Sequence, residues 1–186
     1  KLEAHEIDVR LGATWIGKDY VQDFMQELLD TPWRLRDTIR VEFSSHASEW
    51  HITNKGQDSG SVSASSTYGT KRMNAYEIIE ATLNLQDVRV YDTIPGPDGK
   101  DRTVLNGNET AAAQIKQEEI RNAFKDWIFR APERREVLVE KYNRIFNQIR
   151  PREYDGSHLK FPGMNPEIRM NEHQANAIAH ILYGGN

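Results

Sequence analysis

The sequence has 186 residues, with 24 basic and 28 acidic side chains and a formal net charge of −4. This length fits one domain of ordinary size. The mild acidity excludes a uniformly basic protein that wraps nucleic acid, but not a local basic patch. Because the chain has no cysteine, disulfides, thiolate catalysis and cysteine-ligated zinc are excluded. No apolar run approaches the roughly 20 residues that span a bilayer, and no signal peptide is visible, so we expect a cytoplasmic protein without membrane partners.

The first elements along the chain are a helix and a pair of strands. Apolar residues from Tyr20 to Leu29 recur at three- and four-residue spacing, which predicts an amphipathic helix that ends before Pro32. Between residues 38 and 53 the apolar period shortens to two. This change predicts two antiparallel strands joined by a polar turn at 46–48.

A serine- and glycine-rich stretch follows at residues 54–70. Its composition is typical of a mobile loop, and a third strand near Val62 is a further option. Asn74 then begins a second helix, because its side chain and that of Glu77 have the spacing of a capping box. The alternating residues after that helix predict a hairpin over 88–106 with a proline- and glycine-rich turn.

The strongest helical signal covers residues 109–150. Two apolar stripes are separated by Pro132, which suits the first position of a new helix, so a helical hairpin is predicted. Residues 150–170 lack periodicity and predict an extended connector. A last helix begins at Asn171 and is stopped by the glycines at 184–185.

These elements predict an α+β fold, with a small antiparallel sheet packed on helices. The sheet is expected to combine the strands of 38–53 and 88–106, and it precedes the helical hairpin, the extended connector and the final helix. The expected division is an α+β subdomain at 1–108, the helical hairpin at 109–150, and a connector with its helix at 151–186. Since the chain begins with Lys1 rather than Met and ends in Gly-Gly-Asn, we also expect a piece of a longer protein.

No active site is recognisable in the sequence. The histidines lie at spacings, such as His46 with His51 and His173 with His180, that do not match those of helical metal ligands. Phosphate-binding and serine-nucleophile motifs are also missing from the chain. We therefore predict no catalytic residue, no metal site and no cofactor within this chain.

A weaker signal lies at Lys71 and Arg72, directly before the helix that begins at Asn74. Two cations beside serine, threonine and tyrosine hydroxyls, at a helix start, form a pattern that contacts phosphates. We predict that Lys71 and Arg72 are DNA-binding residues. The alternative is a solvated loop that simply leads into a capped helix.

The final string, EIRMNEHQANAIAHILYGGN, resembles the lead-in to the first motor domain of Swi/Snf-type DNA translocases. The resemblance implies that Gln174, and with it His173, contacts the adenine of ATP in the full-length parent protein. A carboxamide offers a donor and an acceptor that match the adenine edge. The alternative is that Gln174 is the third helical residue of a capping box begun by Asn171.

Other strings extend the resemblance over nearly the whole chain, from Ile7 to Asn186. They are IDVRLGATWI, FKDWIF followed by PERRE, and REYDGSHLKFPGMNP. They resemble the region of very large phage and conjugative-element proteins that joins an adenine-specific DNA methylase to a Swi/Snf-like helicase. The methylase's Asn-Pro-Pro-Tyr type motif and the helicase's Gly-Lys-Thr loop are missing from this sequence, so no catalytic residue carries over.

The resulting hypothesis is a non-catalytic part of a DNA methylase–helicase fusion protein. It would position the two adjacent enzyme domains, which are its expected partners, and add weak contacts to DNA. ATP is implied only for the parent protein. The alternative is a protein-interaction or scaffold domain without a nucleic-acid role, and an enzyme with an unrecognised site is the third option.

Overall fold

A computed structural model describes residues 1–96, 100–147, 154–160, 162–163 and 170–183. The chain forms two compact units, Lys1–Tyr142 and Asn143–Asn186. The predicted α+β class is confirmed. The helices are α1 (Lys18–Leu28), α2 (Ala75–Leu83), α3 (Gly107–Ile128), α4 (Pro132–Phe146) and α5 (Glu172–Tyr183), and the strands are β1 (Val41–Ser44), β2 (Glu49–Ile52), β3 (Tyr91–Pro95) and β4 (Asp101–Leu105).

The core of the first unit lies where α1, α2 and α3 pack around the β1–β2 hairpin. The hairpin packs against α1 through β1 and against α2 through β2, and α3 packs against both helices. Buried apolar side chains come from every one of these elements, which makes one continuous core. Its largest fully buried members are Tyr76, Phe24, Phe124, Ile16 and Met25.

The prediction of one sheet is wrong, because the two hairpins form two separate two-stranded sheets within the described residues. Side chains from α1 and from the residue after α2 occupy the two outer edges of the β1–β2 hairpin. The Val41 N–H donates to the Gln22 side chain of α1 at 2.6 Å, and the Trp50 N–H donates to Asn84 at 2.8 Å. These backbone groups are therefore already satisfied and cannot pair with another strand.

The serine-rich stretch 54–70 packs against the core of the first unit instead of forming a third strand. Residues Ser63–Thr67 form one π-helical turn, in which Ala64 is completely buried while Val62 stays 75% exposed. Asp58 is also buried and accepts a hydrogen bond from Tyr76 at 2.7 Å. Local side-chain bonds of serine favour turns over strands, which explains why no strand forms near Val62.

The predicted starting points of α2 and α4 are confirmed. Asn74 and Glu77 form the predicted capping box at the start of α2, and Pro132 is the first residue of α4. The second predicted stripe is only partly buried, since Leu138 is buried but Ile145 is 48% exposed. Ile149 lies outside the described residues, as do 97–99 of the predicted turn and the glycines after α5.

The second unit is described mainly through α5 and residues 154–160. The Tyr154 and His180 rings lie 4.8 Å apart, and the Gly156 N–H donates to Asn176 at 2.8 Å. Most of the predicted connector, including Phe161, lies outside the described residues, and the three-part domain division stays a prediction. None of the helices within the described ranges has the length and apolarity needed to cross a membrane.

Candidate functional site

The β3–β4 hairpin is a two-stranded ribbon whose large apolar side chains are exposed to solvent. Directly opposite residues share a face, so Tyr91 lies beside Leu105 on one face, while Ile94 and Val104 lie on the other. Each of these four side chains is 45–49% exposed. A two-stranded ribbon with apolar groups on both faces does not bury enough surface to be stable alone. It therefore depends on its attachment to the first unit.

That attachment is made at the base of the ribbon through Asn106. The Asn106 N–H donates to the Val90 carbonyl at 2.9 Å, and its side-chain amide donates to Asp92 at 2.7 Å. Its side-chain oxygen also accepts from the Glu109 N–H and thereby caps α3. One asparagine thus fixes the ribbon to the first turn of α3.

Arg72 also holds the ribbon at its base, through β3. Its guanidinium donates to the Asp92 carboxylate at 2.7 Å and to the Tyr91 carbonyl at 2.9 Å. The hydrogen bond from Arg72, and secondly that from Asn106, lower the pKa of the Asp92 carboxyl from its ordinary value. Because Pro95 has no N–H and Arg72 occupies the Tyr91 carbonyl, the outer edge of β3 is poorly suited to pair with a further strand.

The two predicted DNA-binding residues therefore lie in different environments. Arg72 is engaged with β3, whereas the side chain of Lys71 is exposed and forms no ion pair with a described residue. A role for both in DNA binding stays a prediction. The ribbon residues that Arg72 contacts were missed by sequence reasoning. The available signal was that Asp92 lies near the beginning of the predicted hairpin and Asn106 at its end, where the paired strands bring the two side chains together.

The predicted adenine-contacting residues lie in the first turn of α5. His173 and Gln174 are both exposed. The Gln174 side-chain oxygen accepts a hydrogen bond from the Asn171 N–H at 3.0 Å, which is the arrangement of the capping alternative. This bond occupies one of the two lone pairs of the Gln174 oxygen, and the adenine contact stays a prediction.

A metal site has no support in the described ranges, which contain no group of three or more histidine or acidic side chains placed to hold an ion. The predicted absence of metal, catalytic and cofactor residues remains a prediction. The arrangement described above can present apolar and hydrogen-bonding groups to a partner from a fixed base.

The comparisons with known proteins identify a family without a known activity. The model of a domain of unknown function, DUF8437, matches residues 10–148, which is about three quarters of the chain. The chain therefore belongs to this family. No curated protein and no solved structure gives a significant match.

Proposed function

We propose that this chain is a non-catalytic module that positions the neighbouring domains of a larger DNA methylase–helicase fusion protein. The single observation that carries the proposal is the β3–β4 ribbon, which exposes apolar side chains while its base is fixed to α3 and Arg72. Exposed apolar groups held in this way are typical of protein docking sites. The resemblance over Ile7 to Asn186 supports the choice of adjacent enzyme domains as the partners.

The fixed base matters because docking is opposed by the loss of conformational freedom. A ribbon already held by Asn106 and Arg72 loses less freedom on binding than a loop that must first become ordered. Ile94 and Val104 are diagonal neighbours on one face of the ribbon, so a partner that covers this face removes two large apolar side chains from water.

The proposal is tested by adding this chain in trans to the separately produced methylase and helicase parts of its parent protein. Calorimetry should detect binding to at least one part, and Ile94→Glu with Val104→Glu should weaken it by about tenfold or more, because buried unpaired carboxylates are costly. Val62→Glu is the matched control, since Val62 is also exposed but lies away from the ribbon. Absence of binding to both parts, or a ribbon variant that binds like the wild type, would contradict the proposal.

Weak contact with DNA is the second candidate, and Lys71 is the observation that favours it. Lys71 forms no ion pair within the described part of the chain, and it lies next to Arg72, which holds a ribbon that also carries Arg102. A two-stranded ribbon has dimensions that enter the major groove of DNA. In a fluorescence titration with duplex DNA at low salt, Lys71→Ala should weaken binding, and added salt should weaken it further. Absent or salt-insensitive binding by the wild type would reject this candidate.

ATP binding is proposed only for the parent protein, where Gln174 and His173 would contact adenine. One adenine contact does not replace a phosphate-binding loop. We therefore expect calorimetry of this chain with ATP to give no detectable heat of binding. A specific micromolar affinity would contradict that expectation and would require a phosphate site within the chain.

A further inference from the structure

Two shallow grooves lie side by side between the N-terminal segment and α3. One has a volume of about 380 Å³ and the other of about 360 Å³, and both are lined by Asp8 and Lys125. Together we call them the N-terminal groove. Its charged lining consists of four basic side chains and two acidic ones, a net charge of +2 in a chain whose own charge is −4. These residues are Arg10, Arg121, Lys125, Arg135, Asp8 and Glu118.

Three of the four cations in the groove are available to a ligand. Arg121 is engaged, because it forms ion pairs with Asp87 and Glu118. By contrast, Arg10, Lys125 and Arg135 form no side-chain ion pair or hydrogen bond with any residue in the described part of the chain. The groove therefore holds uncompensated positive charge.

The placement of these cations follows from local structure. In the N-terminal segment Ile7, Val9 and Leu11 are buried while Asp8 and Arg10 between them are exposed. This alternation directs Arg10 away from the core and into the groove. On α3, Lys125 lies one helical turn after Arg121, so the two side chains share a face.

Leu85 supplies an exposed apolar group at the same place. It follows α2 with a left-handed backbone, φ 58°, and its side chain is 59% exposed and lines the groove. The Leu85 N–H donates to the Thr82 carbonyl and the Gln86 N–H to the Ala81 carbonyl, which is a Schellman motif. Glycine is the usual residue at this position, because a β-carbon is disfavoured there. A leucine that is neither buried nor conformationally favoured contributes little to folding, which suggests a role in binding.

We infer that the N-terminal groove binds an acidic protein segment that places an apolar side chain against Leu85. Its carboxylates would pair with Arg10, Lys125 and Arg135. The positive charge attracts any anionic ligand, and the exposed Leu85 side chain favours a protein segment over nucleic acid, because a duplex backbone offers no apolar side chain to pack against it. This surface is separate from the β3–β4 ribbon, so the inference goes beyond the proposed function.

The test uses fluorescence anisotropy with a short labelled peptide of glutamate, leucine and alanine. Three comparison probes separate the sources of binding: the same peptide with serine for leucine, with lysine for glutamate, and a labelled DNA duplex. We expect the acidic leucine-containing peptide to bind at least about tenfold more tightly than each of the others. Equal binding of the serine peptide, tighter binding of the duplex, or no binding of the acidic peptide would overturn the inference.

Variants of the chain then locate the site. Arg10→Gln with Lys125→Gln should weaken the acidic peptide by about tenfold, whereas Arg34→Gln, an exposed arginine outside the groove, should not. Leu85→Gly should lower the affinity without lowering the thermal unfolding temperature, an outcome that a merely structural role would not produce. The ribbon variant, Ile94→Glu with Val104→Glu, should bind the peptide with wild-type affinity. This result would distinguish a failure of the ribbon proposal from a failure of the groove inference. Wild-type affinity in both groove variants would overturn the inference.

Discussion

Tyr76 shows at the scale of one residue how a polar loop is held against an apolar core. The ring is completely buried, its hydroxyl donates to Asp58 at 2.7 Å, and the Thr31 hydroxyl lies 3.0 Å away. Asp58 also accepts from Ser61 at 3.2 Å. A stretch that looks mobile in the sequence is therefore anchored by one buried hydrogen-bond network.

Removal of that hydroxyl should destabilise the chain. Tyr76→Phe leaves the buried Asp58 with fewer donors, and we expect a loss of about 1–3 kcal/mol in the free energy of unfolding, measured with urea near neutral pH. Tyr91→Phe, at an exposed tyrosine, is the control and should be neutral. Equal stability of Tyr76→Phe and the wild type would show that the network does not hold the loop.

The same residue has a pH dependence with a defined sign. Burial raises the pKa of the Tyr76 hydroxyl well above the ordinary tyrosine value of about 10, and Asp58 also raises it, while the Thr31 bond acts in the opposite direction. The stabilisation from the protonated hydroxyl is present below pH 10 and is lost as the pH rises through the folded-state pKa. In urea titrations, the stability of Tyr76→Phe should therefore fall less steeply above pH 10 than that of the wild type.

Single residues also show what the sequence could and could not reveal. The starts of α2 and α4 could be predicted from local sequence, because the signals involve neighbouring residues only. Asn74 and Glu77 form a capping box across three residues, and Pro132 is itself the first residue of its helix. The contact of Tyr76 with Asp58 joins residues 18 apart, and its formation depends on tertiary packing. No local pattern encodes such a pairing.

At the scale of elements, side chains that cover strand edges set the size of the sheets. Asn84 imitates a neighbouring strand, because its oxygen accepts from the Trp50 N–H and its amide donates to the Trp50 carbonyl, both at 2.8 Å. Gln22 covers the outer edge at β1 in the same way, because its oxygen accepts from the Val41 N–H and its amide donates to the carbonyl of Ile39, which lies just before the strand. The alternating pattern predicted both hairpins but not their separation, since edge covering depends on where α1 and α2 pack.

Loss of this edge cover should open the β2 strand. Asn84→Ala removes three hydrogen bonds, and we expect a loss of about 1–2 kcal/mol in stability and faster hydrogen exchange at the Trp50 amide. Gln57→Ala, at an exposed side chain, is the control. An unchanged exchange rate at Trp50 would contradict the assignment.

In the β3–β4 ribbon, the pKa of Asp92 reports its contact with Arg72. Because Arg72 first, and Asn106 second, lower the pKa of the Asp92 carboxyl, Arg72→Gln should raise that pKa towards the ordinary value of about 3.9. The stabilisation carried by Asp92 is present above that ordinary value and is lost as the pH falls through its folded-state pKa. An NMR titration of the Asp92 carboxyl carbon measures the change, with Arg102→Gln as the control. A wild-type pKa in Arg72→Gln would mean that the guanidinium does not hold the ribbon in solution.

At the scale of the molecule, net charge was a poor guide to the surface. The value of −4 excluded a uniformly basic protein but did not reveal the groove with a local charge of +2. The span that carries α3 and α4 is more basic than the remainder, and three of the groove's cations come from it. The fourth, Arg10, lies in the N-terminal segment, far from the other three in the sequence, so only folding brings these four charges together.

The distribution of the core also predicts which part of the chain folds independently. Every residue of the buried apolar cluster lies between Ile7 and Leu138. A chain shortened to residues 1–147 should therefore keep a cooperative urea transition, with a free energy of unfolding on the order of 5 kcal/mol or more. A chain shortened to residues 1–106 is the negative control, because it lacks Ile120, Phe124 and Trp127 of α3 and should not fold. A gradual, non-cooperative transition for the longer chain would show that residues after 147 are required to complete the fold.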